Sequence, residues 1–386
     1  MNNRIYLDHN ASTPLDPAVM QAMLPYLTSH FGNASSIHSW GREVHKAVED
    51  AREHVAALVG AQPRELVFTS GGTEANNLAI RGAVQAHQGP RDRILTTVIE
   101  HSSVARPIRA LGSSGRQVAL LPVGHDGLLD PGELERALDD RTLLVSVMFA
   151  NNETGALQPI AELARRAHAR GALFHCDAVQ APGKTPLDVE TLGVDLLSLG
   201  GHKFYGPHGV GALYVRKGVE LACVTHGADH ERGLRPGTPN TPGIVGLGEA
   251  ARLARERGAE DAARIRTLTA RLEAAARRAI ANVQVNGPTL DRRLPNTVNL
   301  RLGAVEGEAV LLALDLEGIA ISTGSACHSG GVDPSPVLLA MGLGRAEALG
   351  SIRVSLGRGT TGAEVDRFVQ TLARVVAAQK DARPRE

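Results

Sequence analysis

Short apolar runs, punctuated by turn residues, alternate along the chain with stretches in which apolar positions recur every three or four residues. The runs Leu66–Thr69, Arg93–Thr97, Gln117–Leu121, Leu143–Phe149, Leu173–Cys176, Leu196–Leu199 and Ala212–Val215 predict strands. Val44–Leu58, Thr73–Gln88, Gly132–Leu138 and Ile160–Arg170 predict helices between them. Strands alternating with helices imply an α/β fold whose large, mostly parallel sheet is covered on both faces. Ligands bind such sheets at the carboxyl ends of the strands. From about Gly248 the texture changes. Glu249–Ala281 reads as one long Ala/Arg/Glu-rich helix with a solvated charged face. Strand-like Thr297–Leu302, a helix over Gly307–Glu317, a Gly/Ser-rich loop from Ser322 to Gly331 and a final helix follow. This change of pattern sets off a second, smaller domain; the division expected is a large α/β domain (15–250) and a smaller α+β domain (1–14 with 251–386), which carries the loop 322–332.

Composition narrows the function classes. The 386 residues carry 41 basic and 41 acidic side chains, so no global field draws the protein to nucleic acid or to an anionic membrane. No apolar run approaches the roughly 18 residues of a membrane span, and MNNRIYLDHN has no apolar leader core. Three cysteines (Cys176, Cys223, Cys327) make no disulfide framework, so a reducing, cytoplasmic setting is expected. The histidines are scattered singly, without HExxH or CxxC spacing, and no metal site is expected. The chain has only five lysines, which makes one in a special setting informative.

Four motifs carry candidate chemistry. In LVFTSGGTEANNLAI (Leu66–Ile80), a strand enters Ser70-Gly71-Gly72-Thr73 and a helix follows. Glycines admit close backbone approach, and a helix N-terminus offers free N–H groups to a phosphate. The plainer reading is a tight turn capped by Thr73. In LFHCDAVQ (Leu173–Gln180), an apolar strand delivers Asp177 near its carboxyl end. A carboxylate there needs a cation, such as a protonated pyridine nitrogen, unless it merely caps the next turn. Cys176 points to the other side of the strand and reads as core filling. In SLGGHKFYGPHGVGALYV (Ser198–Val215), Lys203 follows a buried strand 203 − 177 = 26 residues after Asp177, so adjacent strands bring both to one place. A partly desolvated amine beside cations becomes nucleophilic. The alternative is an exposed turn lysine, against which the neighbouring His202 argues. In ISTGSACHSGGVDPS (Ile321–Ser335), Cys327 sits among small residues, suited to carry a thiolate to a substrate, unless it is an incidental thiol.

Taken in order, these motifs resemble the cysteine desulfurases of the NifS/IscS type, in the class V group of fold-type I pyridoxal phosphate (PLP) enzymes. The likeness runs from YLDHNASTP (Tyr6–Pro14) to SIRVSLGR (Ser351–Arg358). GSACHSG followed by PSPVLLAMG places it with the longer-loop branch. The resemblance implies that Lys203 holds PLP as a Schiff base and removes the substrate Cα proton. It implies that Asp177 pairs with the pyridine nitrogen and that His101 stacks on the ring and shuttles protons. Asn152 and Gln180 would bond the ring hydroxyl or nearby groups, and Gly72, Thr73 and His202 would hold the phosphate. Thr238 would reach the partner subunit's phosphate, making the protein a homodimer. Arg353, with Asn152, would bind the substrate carboxylate. Cys327 would take sulfur from L-cysteine as a persulfide, release L-alanine and pass the sulfur to an acceptor such as an iron–sulfur scaffold protein. Three positions depart from the family pattern: Gly200 stands for a common Ser that meets the phosphate, His208 for a Lys, and Ala34 for a Pro. Two other readings stay open. One is a selenocysteine lyase or another class V aminotransferase-like enzyme; the other is a non-catalytic assembly partner, against which the joint presence of Lys203 and Cys327 argues.

Overall fold

A computed structural model describes residues 4–303, 305–323 and 333–381, together with the backbone of Cys327–His328 and Gly331–Val332. Seven strands form the main sheet: β1 (Leu66–Thr69), β2 (Arg93–Thr97), β3 (Gln117–Leu121), β4 (Thr142–Met148), β5 (Leu173–Asp177), β6 (Leu196–Gly200) and β7 (Gly211–Val215). Their spatial order is β1-β7-β6-β5-β4-β2-β3, and only β7 runs antiparallel to its neighbours. Each strand begins and ends within one residue of the apolar run that predicts it. Strands buried on both faces must be apolar throughout, which makes them legible as short continuous runs.

Helices α1 (Pro17–Thr28), α2 (Ser39–Val59), α3 (Gly72–Ala86), α4 (Ser102–Ser113), α5 (Ile160–Ala169) and α6 (Thr241–Ala279) surround this sheet. α2 ends at Gly60, whose φ of 70° is the left-handed conformation that closes many helices. α6 starts eight residues before the expected Glu249. Asn240 accepts a hydrogen bond from the Gly243 amide at 3.2 Å, and Pro242 occupies the first turn. Gly243, Gly246 and Gly248 hide that start in the sequence. They serve close packing instead: a Cβ on Gly248 would stand 2.6 Å from the Ala51 Cα of α2.

A second sheet has β8 (Gln284–Asn286) and β10 (Ser351–Ser355) on either side of β9 (Thr297–Arg301), all antiparallel. α7 (Gly307–Leu316) and α8 (Gly362–Asp381) pack on it. The two largest apolar clusters divide between the two sheets. One joins α2, the main sheet and the first third of α6, through Leu247 and Leu253. The other joins the later part of α6, through Ile265 and Leu272, to the second sheet and α8. Ile5–Tyr6 pairs in parallel with Ile319–Ala320, tying the N-terminus to the second cluster.

Candidate active site

The carboxyl ends of five main-sheet strands converge on one cavity of about 470 Å³, as the strand–helix alternation predicts. β1 leads into Gly71-Gly72-Thr73, β2 into His101, β4 into Asn152, β5 ends on Asp177, and β6 leads into His202 and Lys203. Gly72, Thr73, His101, Asn152, Asp177, Gln180, His202, Lys203 and Arg353 all line this cavity. Thr238 does not; it lies exposed in the segment before α6. The Cys327 side chain lies outside the described residues. Its backbone forms one strand of a short hairpin, Cys327–His328 against Gly331–Val332.

One end of the cavity is built for an anion. The first turn of α3 leaves its N–H groups without intrahelical acceptors, and it opens on the cavity at Gly72 and Thr73. Gly71 has φ 147°, which a side chain would strain, and a Cβ on Gly72 would stand 2.5 Å from Val179 Cγ2. Both glycines are therefore required to bring the backbone this close. His202 lies beside the turn, its ring stacked on His208 at 5.2 Å between centroids. Burial, Lys203 and His208 lower the His202 imidazole to about 4.

The other end is built for a cation. Asp177 is buried, and its Oδ2 accepts from Asn76 Nδ2 at 2.7 Å and its Oδ1 from the Val179 amide at 3.1 Å. Among the described residues it forms no ion pair. Burial raises its carboxyl above the usual range, against these hydrogen bonds and the pull of His101 and Lys203. A desolvated carboxylate held only by neutral donors calls for a positive group from the cavity side.

Lys203 stands between the two ends. Its Nζ donates to the carbonyls of Asn10 and Ala11, each at 2.8 Å. Burial and Arg353 lower the ammonium to about 8, against Asp8 and Asp177. An amine so placed exchanges its proton near neutrality. His101 Nδ1 bonds the Ser103 hydroxyl at 2.8 Å and accepts from the Ser103 amide, which fixes the ring at the start of α4. Arg353 comes from β10, with Nη2 on Asp8 Oδ1 at 2.6 Å and Nη1 on the Asn152 carbonyl at 3.2 Å. Its backbone bonds Ser322 in both directions, so the strand that presents the guanidinium also anchors the start of the loop that carries Cys327.

Several contributors carry no sequence signal of their own. Asp8 and Asn10 lie in YLDHNASTP, yet only the fold shows them beside Arg353 and Lys203. Asn76 stands one turn into α3 and reaches Asp177 across 101 residues of sequence. Glu100, beside His101, is pushed up to about 8 by burial and bonds Thr97 and the Met148 amide. Cys176 fills the core, as its side of the strand predicts, and burial pushes its thiol well up. Among the described residues no cluster of His, Cys, Asp and Glu is arranged for a metal, and no helix is long and apolar enough to cross a membrane.

A main sheet whose strand ends bring together an anion turn, a buried carboxylate and a lysine defines an α/β protein with a cavity suited to a ligand that is anionic at one end and cationic at the other. The aminotransferase class-V model matches residues 5–368. A cysteine desulfurase IscS of Anaeromyxobacter sp. (strain Fw109-5) is 48% identical over 383 residues, covering 98% of this chain and 94% of that one. A cysteine desulfurase of Nostoc sp. (strain PCC 7120) is 48% identical over 375 residues, covering 96% and 92%. A solved NifS-like protein superposes with a TM-score of 0.92 at 37% identity, over 97% of this chain and all of that one. A structure described as SspA in complex with cysteine gives 0.80 at 35% identity, over 91% and 98%. The chain belongs to the class-V aminotransferase family and, within it, to the NifS/IscS-type cysteine desulfurases.

Proposed function

We propose that this protein removes sulfur from L-cysteine with pyridoxal phosphate on Lys203, releasing L-alanine and leaving a persulfide on Cys327. The observation that carries this reading is the shared cavity, in which Lys203, the buried Asp177, the open first turn of α3 and Arg353 face one space. The residues present fit the cofactor. The turn at Gly72 and Thr73, with His202, suits its phosphate, and Asp177 suits a protonated ring nitrogen. His101 would cover one ring face, and Gln180 and Asn152 would meet the ring hydroxyl and the substrate. Bound there, PLP supplies an electron sink for the charge left when a substrate Cα loses its proton.

The remaining steps belong to the chain itself. Arg353 binds the substrate carboxylate through its guanidinium fork, sharing it with Asp8. Lys203 Nζ takes the Cα proton and later returns one, a role suited to an amine lowered to about 8. The Cys327 thiolate attacks the substrate sulfur, so that the new S–S bond forms as the Cβ–S bond breaks and its electron pair returns to carbon. The persulfide then passes to an acceptor such as an iron–sulfur scaffold protein. Incubating the purified protein with PLP and L-cysteine tests the reading. A visible absorption band and alanine formed in step with transferred sulfur are expected; no band and no alanine would contradict it.

The same reading extends to assembly and domains. A homodimer would cover the exposed Met20, Leu24, Leu27, Phe31, Ile37 and Trp40 on α1, the loop after it and the start of α2. It would also give the exposed Thr238 a partner subunit's phosphate to meet. The two apolar clusters support a large domain over 15–250 and a small one from 1–14 with 251–386, with α6 crossing between them.

Gly200 supplies a further prediction. Its backbone is extended (φ −139°, ψ 119°), so a side chain is conformationally allowed. A Cβ there would stand 3.5 Å from the Gly72 amide and 3.3 Å from Val179 Cγ1. In Gly200→Ser the hydroxyl adds one phosphate hydrogen bond, at roughly 0.5–1.5 kcal/mol net. Equilibrium titration of the apoprotein should find PLP bound about 2- to 10-fold more tightly. Unchanged or weaker binding would mean that Val179 does not yield.

A further inference from the structure

Lys184 is a second lysine behind the site, in the turn that follows β5. Its Nζ donates to Gln180 Oε1 at 2.9 Å. Gln180 Nε2 donates to the Asn10 carbonyl at 2.9 Å, and that same carbonyl accepts from Lys203 Nζ at 2.8 Å. Asn10 cannot drift, because its side chain donates to Thr297 Oγ1 at 2.8 Å and accepts from Asn296 at 3.0 Å, while its amide donates to Ser355 Oγ at 2.9 Å. Gln180 thus sits between a group that only donates and a group that only accepts.

That arrangement removes the usual ambiguity of an amide side chain. A lysine ammonium has three donors and no acceptor, and a carbonyl has no donor. Reversing the Gln180 amide would set N–H against N–H at Lys184 and oxygen against oxygen at Asn10. Both contacts therefore hold Oε1 away from the lysine-bearing cavity and Nε2 towards it. Nε2 has a second hydrogen beyond the one given to Asn10, and Gln180 lines the cavity. Burial lowers the Lys184 ammonium to about 7, with Lys203 and Arg353 adding to the effect, so Lys184 is a strict donor below that pH, and above it the Asn10 carbonyl, which accepts at every pH, still holds the Gln180 amide in the same orientation.

We infer that Lys184 is a positioning residue: by fixing the Gln180 amide it makes Gln180 a hydrogen-bond donor, not an acceptor, towards the ring oxygen of the bound cofactor. This rests on the functional reading given above. A donor at that oxygen stabilises its negative charge, most when the neighbouring Schiff base nitrogen on Lys203 has lost its proton. Losing the donor therefore raises the pKa of that nitrogen.

The test is a spectrophotometric pH titration of the PLP-loaded protein in a double-mutant cycle. Lys184→Met should raise the Schiff base pKa by about 0.5 to 1 unit, and Lys184→Arg, which keeps donor and charge, should restore the native value. Removing a positive charge raises this pKa on its own, so the decisive comparison uses a Gln180→Ala background. There the Lys184→Met shift should fall to less than half. Equal shifts in the two backgrounds, or none in either, would overturn the inference. Lys184→Ala serves the same cycle should the methionine variant fail to fold. If the wild-type protein shows no PLP band at all, the functional reading falls and the inference with it; a normal band with an unresponsive pKa overturns the inference alone.

Discussion

Lys203→Ala will lower alanine release from L-cysteine by about a thousandfold or more. In the proposed reaction the lysine does two things in turn. It would hold the cofactor covalently until the substrate displaces it, and its freed Nζ would then move the substrate's Cα proton. A positioned acid–base group alone contributes about 10²–10⁴-fold. The site is organised around that amine: two backbone carbonyls fix Nζ, and burial with Arg353 brings it to about 8, where it exchanges protons near neutral pH. Lys203→Arg will not rescue the activity, because a guanidinium stays protonated and forms no Schiff base under these conditions. The variants should remain folded, since Lys203 lies in the turn after β6 and contributes no apolar packing to the main cluster. Alanine quantification at saturating L-cysteine checks the prediction. An alanine variant that kept more than about a tenth of the rate would show that proton movement depends on another group.

Cys327→Ala is expected to have the second large effect, and of a different kind. Lys203, Asp177 and the turn at Gly72 are untouched, so PLP should bind with its visible band intact and L-cysteine should still perturb that band. Sulfur transfer should fail, because no thiolate remains to receive the sulfur as the Cβ–S bond breaks. The contrast separates preparing the substrate, assigned to Lys203, from accepting sulfur, assigned to Cys327. The loop is rooted where this contrast needs it: Ser322, five residues earlier, is bonded through its backbone to Arg353, the residue proposed to hold the substrate carboxylate. Sulfide and alanine released at the full rate by Cys327→Ala would contradict the desulfurase reading and favour a lyase that does not need the thiol.

Much of this architecture is legible in the chain. Apart from the half-exposed edge strand β3, the strands of the main sheet are buried on both faces along nearly their whole length, so their apolar runs are short, continuous and bounded by turn residues. Asp177 is conspicuous because a carboxylate at the end of such a run is out of place without a partner. Lys203 is conspicuous because lysine is scarce here and glycine surrounds it. What is not legible depends on long-range closure. Asp8 meets Arg353 across 345 residues and Asn10 meets Lys203 across 193, and no local pattern marks either contact. The start of α6 is missed because three glycines, placed for contact with neighbouring helices and turns, interrupt its helical texture. Lys184 carries no local signal; its role emerges only from the fold, which pins its partner Gln180 on the far side against Asn10.

The most direct test of sulfur transfer from L-cysteine to this chain is mass spectrometry of the PLP-loaded protein after brief exposure to L-cysteine. One added sulfur atom on the peptide containing Cys327, removable by a reducing thiol and absent in Lys203→Ala, is the predicted result. Alanine produced at the full rate with Cys327 unmodified, or sulfur carried by Cys176 or Cys223 instead, would contradict it.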